Sequence, residues 1–265
     1  MEADKQDASD EWSHYVFHPR PNFTDPSNTD SSFDLAFEVD KGVTVVNRLH
    51  IGGKDVPNIL FFHGNGETVT DYDDIGAGMA YSKNGINLLV TDYRGYGNSN
   101  GKPSIRYMLK DAHTLFARFE AFLEEKGFTG PVFVMGRSLG SAPAIELAKS
   151  RSDHLKGLIL ESGFAHTFNL LRFLGVPANL LDPSIENKYS NQEMIKHVKI
   201  PLLVIHGEND FLIPVQDGHD LFKACGTEES RKRILVIKNA GHNDIWFTGG
   251  EQYMKAVTGF IDNFS

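Results

Sequence analysis

Short apolar runs rich in β-branched residues recur along this chain, and longer amphipathic stretches separate them. The runs are Ile59-Leu60-Phe61-Phe62, Ile86-Asn87-Leu88-Leu89-Val90, Val132-Phe133-Val134-Met135, Leu158-Ile159-Leu160, Leu202-Leu203-Val204-Ile205 and Ile234-Leu235-Val236-Ile237. Continuous runs of this length fit strands buried on both faces, as in a parallel sheet covered by helices. The intervening stretches carry helical spacing. From Ser104 to Lys126, apolar positions fall at Leu109, Ala112, Leu115, Phe116, Phe119 and Leu123. Leu139 to Lys149, Val215 to Ala224 and Gly250 to Phe264 behave alike. Strands alternating with helices imply right-handed crossovers and an α/β fold with a mostly parallel sheet.

Two segments depart from that rhythm. Residues 1–30 hold Pro19, Pro21 and Pro26 among polar residues and read as an irregular N-terminal arm laid over a domain of residues 31–265. Phe33 to Val39 and Val43 to Leu49, on either side of Asp40-Lys41-Gly42, suggest a hairpin at the start of that domain. The second segment, about 164–199, contains no strand pattern yet is apolar, with Phe164, Phe168, Leu170, Leu171, Phe173, Leu174 and Val176. It reads as a short helical insertion above the sheet.

Composition narrows the function classes. Lys+Arg number 26 against 35 Asp+Glu, a formal charge of −9, so the overall field repels phosphate backbones and no nucleic-acid partner is expected. The single cysteine, Cys225, excludes an intrachain disulfide and reads as a small semi-buried hydrophobe. The acidic start Met1-Glu2-Ala3-Asp4 is not a signal peptide, and no stretch approaches the roughly 20 apolar residues of a membrane span. A cytoplasmic protein without a transmembrane segment is the expectation. No His/Cys/Asp/Glu cluster has metal-ligand spacing, so neither metal nor cofactor is expected. Asp92 to Ser99 is glycine-rich but lacks the Gly-Lys-Ser/Thr ending of a phosphate loop, and reads as a structural turn.

Functional groups in open α/β sheets collect at the carboxyl ends of strands. After Met135 comes Gly136-Arg137-Ser138-Leu139-Gly140, a Gly-x-Ser-x-Gly pentapeptide between a strand and a helix. A sharp strand-to-helix turn needs small residues two before and two after the serine, and it leaves the serine hydroxyl exposed at the sheet edge. A serine needs a base, and the base an orienting carboxylate. Asp210 follows the run ending at Ile205, and His242 follows the run ending at Ile237. The order Ser138, Asp210, His242 is that of a hydrolase triad. Asp210 competes for the acid's place with Glu208 and Asp244; Asp244 is expected to cap the next turn. Oxyanion donors are expected from the backbone N–H groups of Leu139 and of Asn65, in the loop His63-Gly64-Asn65-Gly66. His63 and His206 read as structural.

Five segments carry a family resemblance: Phe61-Phe62-His63-Gly64-Asn65-Gly66, Asp92-Tyr93-Arg94-Gly95-Tyr96-Gly97-Asn98-Ser99, Gly136-Arg137-Ser138-Leu139-Gly140, His206-Gly207-Glu208-Asn209-Asp210 and Gly241-His242-Asn243-Asp244. With these the chain resembles the α/β-hydrolase superfamily, and within it the Bem46 and ABHD12/13/17-like serine hydrolases. The resemblance implies an α/β-hydrolase fold with a sheet of about eight strands and a helical lid at the insertion. It implies Ser138, Asp210 and His242 as catalytic residues of a cofactor-independent hydrolase. The expected substrates are small-molecule carboxylic esters or thioesters, lipid-like ones among them, with Phe164, Phe168, Leu171 and Leu174 forming an acyl-binding wall. Glu161-Ser162-Gly163-Phe164 departs from the Ser-Pro-Phe often found there. An acyltransferase or peptidase on the same triad, or a non-catalytic binding protein on the same fold, are the alternatives.

Overall fold

The computed structural model describes residues 8–22, 29–181 and 189–265. Each apolar run is a strand: β3 (Asn58–Phe62), β4 (Asn87–Thr91), β5 (Val132–Arg137), β6 (Leu158–Glu161), β7 (Leu202–Gly207) and β8 (Lys232–Ile237). The hairpin supplies β1 (Ser32–Asp40) and β2 (Val43–His50) before them. The eight strands form one sheet in the order β1-β2-β4-β3-β5-β6-β7-β8. β1 and β2 pair antiparallel, as do β2 and β4; every pairing from β4 through β8 is parallel.

Strand alternation sends side chains into two cores. On one face, Leu60, Phe62, Val134, Leu158 and Leu160 pack against helices through Phe116, Phe119, Ala144 and Ala148. On the other, Ile59, Phe61, Phe133, Met135 and Ile159 meet Tyr81, Tyr253, Val257 and Phe260. β3 to β7 run buried along almost their whole length, which is why they show no polar alternation.

The arm is not wholly irregular. Ala8–Val16 is a helix, α1, and its Trp12 is fully buried with the indole N–H donating to the Leu180 carbonyl at 3.0 Å. The prolines that suggested irregularity all lie beyond it. After β3 come the single turn α2 (Asp71–Asp74) and α3 (Ala77–Lys83). Then α4 (Ile105–Lys126) opens on Ser104, whose hydroxyl accepts the Tyr107 N–H, and stops at Gly127 with φ +68°. α5 (Ser141–Ser150) follows the serine turn. Within the insertion, α6 (Thr167–Phe173), a 3₁₀ turn at Ala178–Leu180 and a helix at Asn191–Ile195 are described. The rest of its middle, 182–188, lies outside the described residues.

The last helix spans Ile245–Phe264, starting five residues earlier than the sequence pattern suggests. Gly250, at φ +45° and ψ −121°, interrupts it, which hid its first turn from a periodicity reading. Among the described residues, no helix is long and apolar enough to cross a membrane.

Candidate active site

β5 ends at Arg137 and the chain turns at once into a 3₁₀ turn, Ser138–Gly140, leading to α5. Ser138 takes φ +52°, the left-handed region that costs a non-glycine residue roughly 1–3 kcal/mol. The flanking glycines make that turn possible. A Cβ on Gly136 would overlap the Gly140 carbonyl, and a Cβ on Gly140 would overlap the Phe62 carbonyl and lie 2.8 Å from that of His63. The serine turn therefore lies directly against the end of β3.

β7 and β8, beyond β6 on the same side of β5, bring the other two groups. Ser138 Oγ lies 3.0 Å from His242 Nε2, and His242 Nδ1 lies 2.7 Å from Asp210 Oδ2. The other carboxylate oxygen accepts the N–H groups of Leu212 at 3.0 Å and Ile213 at 2.8 Å. Burial by itself would raise the Asp210 carboxyl. Hydrogen bonds from His206 and His242, the imidazole charge and the Ile213 N–H outweigh it and hold the group well below the usual carboxylate range. An ionised carboxylate only accepts, so Nδ1 carries the proton and Nε2 presents its lone pair to the serine hydroxyl. The arrangement is that of a hydroxyl backed by an oriented base.

The competing acids are engaged elsewhere. Asp244 Oδ1 accepts the Gly241 N–H at 2.6 Å, and Glu208 Oε2 accepts the Asn239 N–H at 3.0 Å. His206 Nε2 donates to the Ile213 carbonyl at 2.9 Å and lies 3.4 Å from Asp210 Oδ2, bracing the acid's loop. His63 Nδ1 is 2.7 Å from the Gly64 carbonyl oxygen and Nε2 is 3.1 Å from Asp92 Oδ1, which also accepts the Val69 N–H.

Asn65 stands at the end of β3, held by the arm and by Tyr96. Its Nδ2 donates to the Val16 carbonyl at 2.5 Å, and its Oδ1 accepts the His18 N–H at 3.1 Å and the Tyr96 hydroxyl at 2.8 Å. Arg20 donates to the Gly66 carbonyl at 2.7 Å. Leu139, the other expected oxyanion donor, is buried in the serine turn.

Phe164, Phe168 and Leu171 are buried within the larger core cluster, with Leu174 packed against it. The aromatic side chain that the insertion exposes is Phe173. A cavity of about 250 Å³ borders the site on the opposite face of the sheet, lined among others by Glu67, Tyr72, Arg137, Asn243, Trp246 and Tyr253. Sequence reading passed over these residues. One signal was available: Arg137 and Asn243 each adjoin a triad candidate in the chain. Glu161, at the departure from the family pattern, turns toward Arg137 (Nε to Oε1, 2.9 Å).

The architecture and the sequence relatives agree. Residues 54–183 match the family model described as serine aminopeptidase, S33. The Pyrococcus furiosus esterase Pf2001 superimposes with a TM-score of 0.74 over 93% of this chain and 98% of that one, at 17% identity. The chain has the α/β-hydrolase fold. Among its sequence relatives, lysophosphatidylserine lipase ABHD12 of Rattus norvegicus is 31% identical over 206 residues, 72% of this chain and 51% of that protein. The α/β hydrolase domain-containing protein WAV2 of Arabidopsis thaliana is 27% identical over 221 residues, 79% of this chain and 71% of that protein. By these matches the chain is similar in sequence to the ABHD-like group. It spans about half the length of the ABHD12 relatives.

Proposed function

We propose that this chain is a serine hydrolase that cleaves carboxylic esters through an acyl-enzyme. One observation carries the reading: the unbroken hydrogen-bonded chain from Ser138 through His242 to Asp210. Ser138 Oγ attacks the ester carbonyl as His242 Nε2 takes its proton. The negative oxygen of the tetrahedral intermediate is met by the backbone N–H groups of Leu139 and Asn65. As the intermediate collapses, His242 returns the proton to the departing alcohol. Water then attacks the acyl-enzyme with His242 again as base, releasing the carboxylic acid and restoring the serine. Asp210 holds the imidazole in the tautomer required and stabilises its charged form.

The substrate reading is a small-molecule ester with a lipid-like acyl chain. The relatives' names support it. The test is a fluorophosphonate probe followed by a panel of nitrophenyl esters and lysophospholipids. Wild-type protein labels and turns over, and Ser138→Ala does neither while keeping its melting temperature. A folded Ser138→Ala protein with wild-type turnover overturns the reading.

A further inference from the structure

We propose that Arg137 is a positioning residue that clamps the histidine loop, the oxyanion loop and the end of β6 into one arrangement. β5 places Phe133 and Met135 in the core on the side of the last helix, and alternation sends Arg137 to that same side. Its neighbour across the parallel ladder is Glu161. The guanidinium is largely buried and every nitrogen is committed. Nε donates to Glu161 Oε1 at 2.9 Å. One Nη donates to Glu67. The other donates to the His242 carbonyl at 2.8 Å and to Asn243 Oδ1 at 3.1 Å.

Both carboxylates carry the clamp further. Glu67 Oε2 accepts the Gly64 N–H at 2.8 Å and the Tyr72 hydroxyl at 2.7 Å, so it fixes the loop that bears Asn65. Glu161 accepts the hydroxyl of Tyr253, on the last helix. A single planar fork thus joins the loops that follow β3 and β8 to the end of β6. Lysine carries the same charge but a single nitrogen and no fork, so it cannot satisfy these partners together. The bond to the His242 carbonyl matters most, because it sets the backbone from which the imidazole reaches Ser138. The 250 Å³ cavity beside Arg137 leaves the loop room to move inward when the fork is lost. Misplacing a base by about 1 Å can cost on the order of 10²-fold in rate.

The kinetic consequence rests on the reading of Ser138 as nucleophile; the structural consequence does not. Arg137→Lys and Arg137→Met are therefore compared with wild type by two independent readouts. The first is steady-state kinetics on a nitrophenyl ester that wild type turns over. We expect kcat to fall roughly 10- to 100-fold in both variants with KM within about threefold, since the substrate surface is unchanged. The second is amide hydrogen exchange, read peptide by peptide. We expect faster exchange over residues 238–245 and 63–67, with β5 and α4 protected as in wild type. Arg137→Lys keeps the charge and most of the stem, so it tests the fork even where Arg137→Met fails to fold. Wild-type kcat and wild-type exchange in folded Arg137→Lys would overturn the clamp. A loss of kcat accompanied by uniformly faster exchange would overturn it too, because it would show a global rather than a loop effect. If wild type itself neither labels nor turns over, the serine-hydrolase reading fails, and the exchange experiment still decides the clamp.

Discussion

His242 Nδ1 stands 2.7 Å from Asp210 Oδ2, while the second oxygen of the same carboxylate is tied to the N–H groups of Leu212 and Ile213. The acid is thus fixed by its own loop before it meets the imidazole. Replacing it with its amide offers Nδ1 a donor as readily as an acceptor and permits the wrong tautomer. Asp210→Asn is expected to lose on the order of 10⁴ in kcat. Asp244→Asn and Glu208→Gln, whose carboxylates accept loop N–H groups, should stay within about tenfold of wild type. Ester turnover by the three purified variants, each with its melting curve, checks the assignment. A crippled Asp244→Asn beside an active Asp210→Asn would refute it.

The glycines of the serine turn and of the last helix should respond in opposite directions to alanine. Gly140 has no room, because a Cβ would overlap the backbone carbonyl of Phe62. Gly140→Ala is expected to cost about 3 kcal/mol or more, as overpacking against backbone leaves no side chain free to yield. Gly259 lies inside the last helix, with nothing within 4 Å of an added Cβ. Gly259→Ala should stabilise by about 0.5–1 kcal/mol. Urea denaturation at neutral pH separates the two.

Much of this was legible from the chain because it depends on local pattern. The strands announced themselves as runs buried on both faces, and Ser138, Asp210 and His242 each follow such a run directly. Arg137, Glu67 and Glu161 were not legible. Their pairings span 70 and 24 residues, and only the sheet register puts them together. The helix Ala8–Val16 was hidden by the prolines after it, and its Trp12 makes sense only beside Leu180, 168 residues away. The insertion's apolar pattern suggests a substrate wall, yet Phe164, Phe168 and Leu171 have their surfaces taken up by core packing. Composition alone does not distinguish those two uses.

Stability should fall between neutral and mildly acidic pH through His50. Its ring is 3% exposed, and its pKa is pushed down to about 4, first by burial and then by the Arg48 charge. Asp73 Oδ1 lies 3.6 Å from Nε2, but the carboxylate's other oxygen accepts from Arg48 and the group does not offset the burial. In the unfolded chain a histidine titrates near roughly 6.5. Below that value the unfolded state takes up a proton that the native state refuses until about pH 4. The native state therefore loses up to about 3 kcal/mol across that window, and no more from this group below it. Denaturation free energies at pH 7 and pH 4.5 should differ less in His50→Gln than in wild type.

Tyr96 links the arm to the Asn65 loop and is fully buried. Its hydroxyl accepts the His18 N–H and donates to Asn65, both at 2.8 Å. Tyr96→Phe is expected to cost about 1–2 kcal/mol of stability. It should also lower kcat, by roughly tenfold, if Asn65 serves the oxyanion. Because the donor is the backbone N–H, which Asn65→Ala keeps, unchanged kcat in Tyr96→Phe and in Asn65→Ala alike would show that this side-chain anchor does not position it.

Strand order carries a consequence for how this protein wears out. Ser138 is anchored in the interior of the sheet, since β5 lies between β3 and β6, whereas His242 hangs from β8, which among the described residues has β7 as its single neighbour. Border strands open at lower free-energy cost than interior ones. Warming or mild denaturant will peel the histidine away while the hydroxyl still sits in an intact scaffold. Activity should therefore vanish below the temperature at which helical signal disappears, and return on cooling faster than a full refolding would allow. The working lifetime of the protein would then be set by the fraying of one marginal strand rather than by the strength of its core.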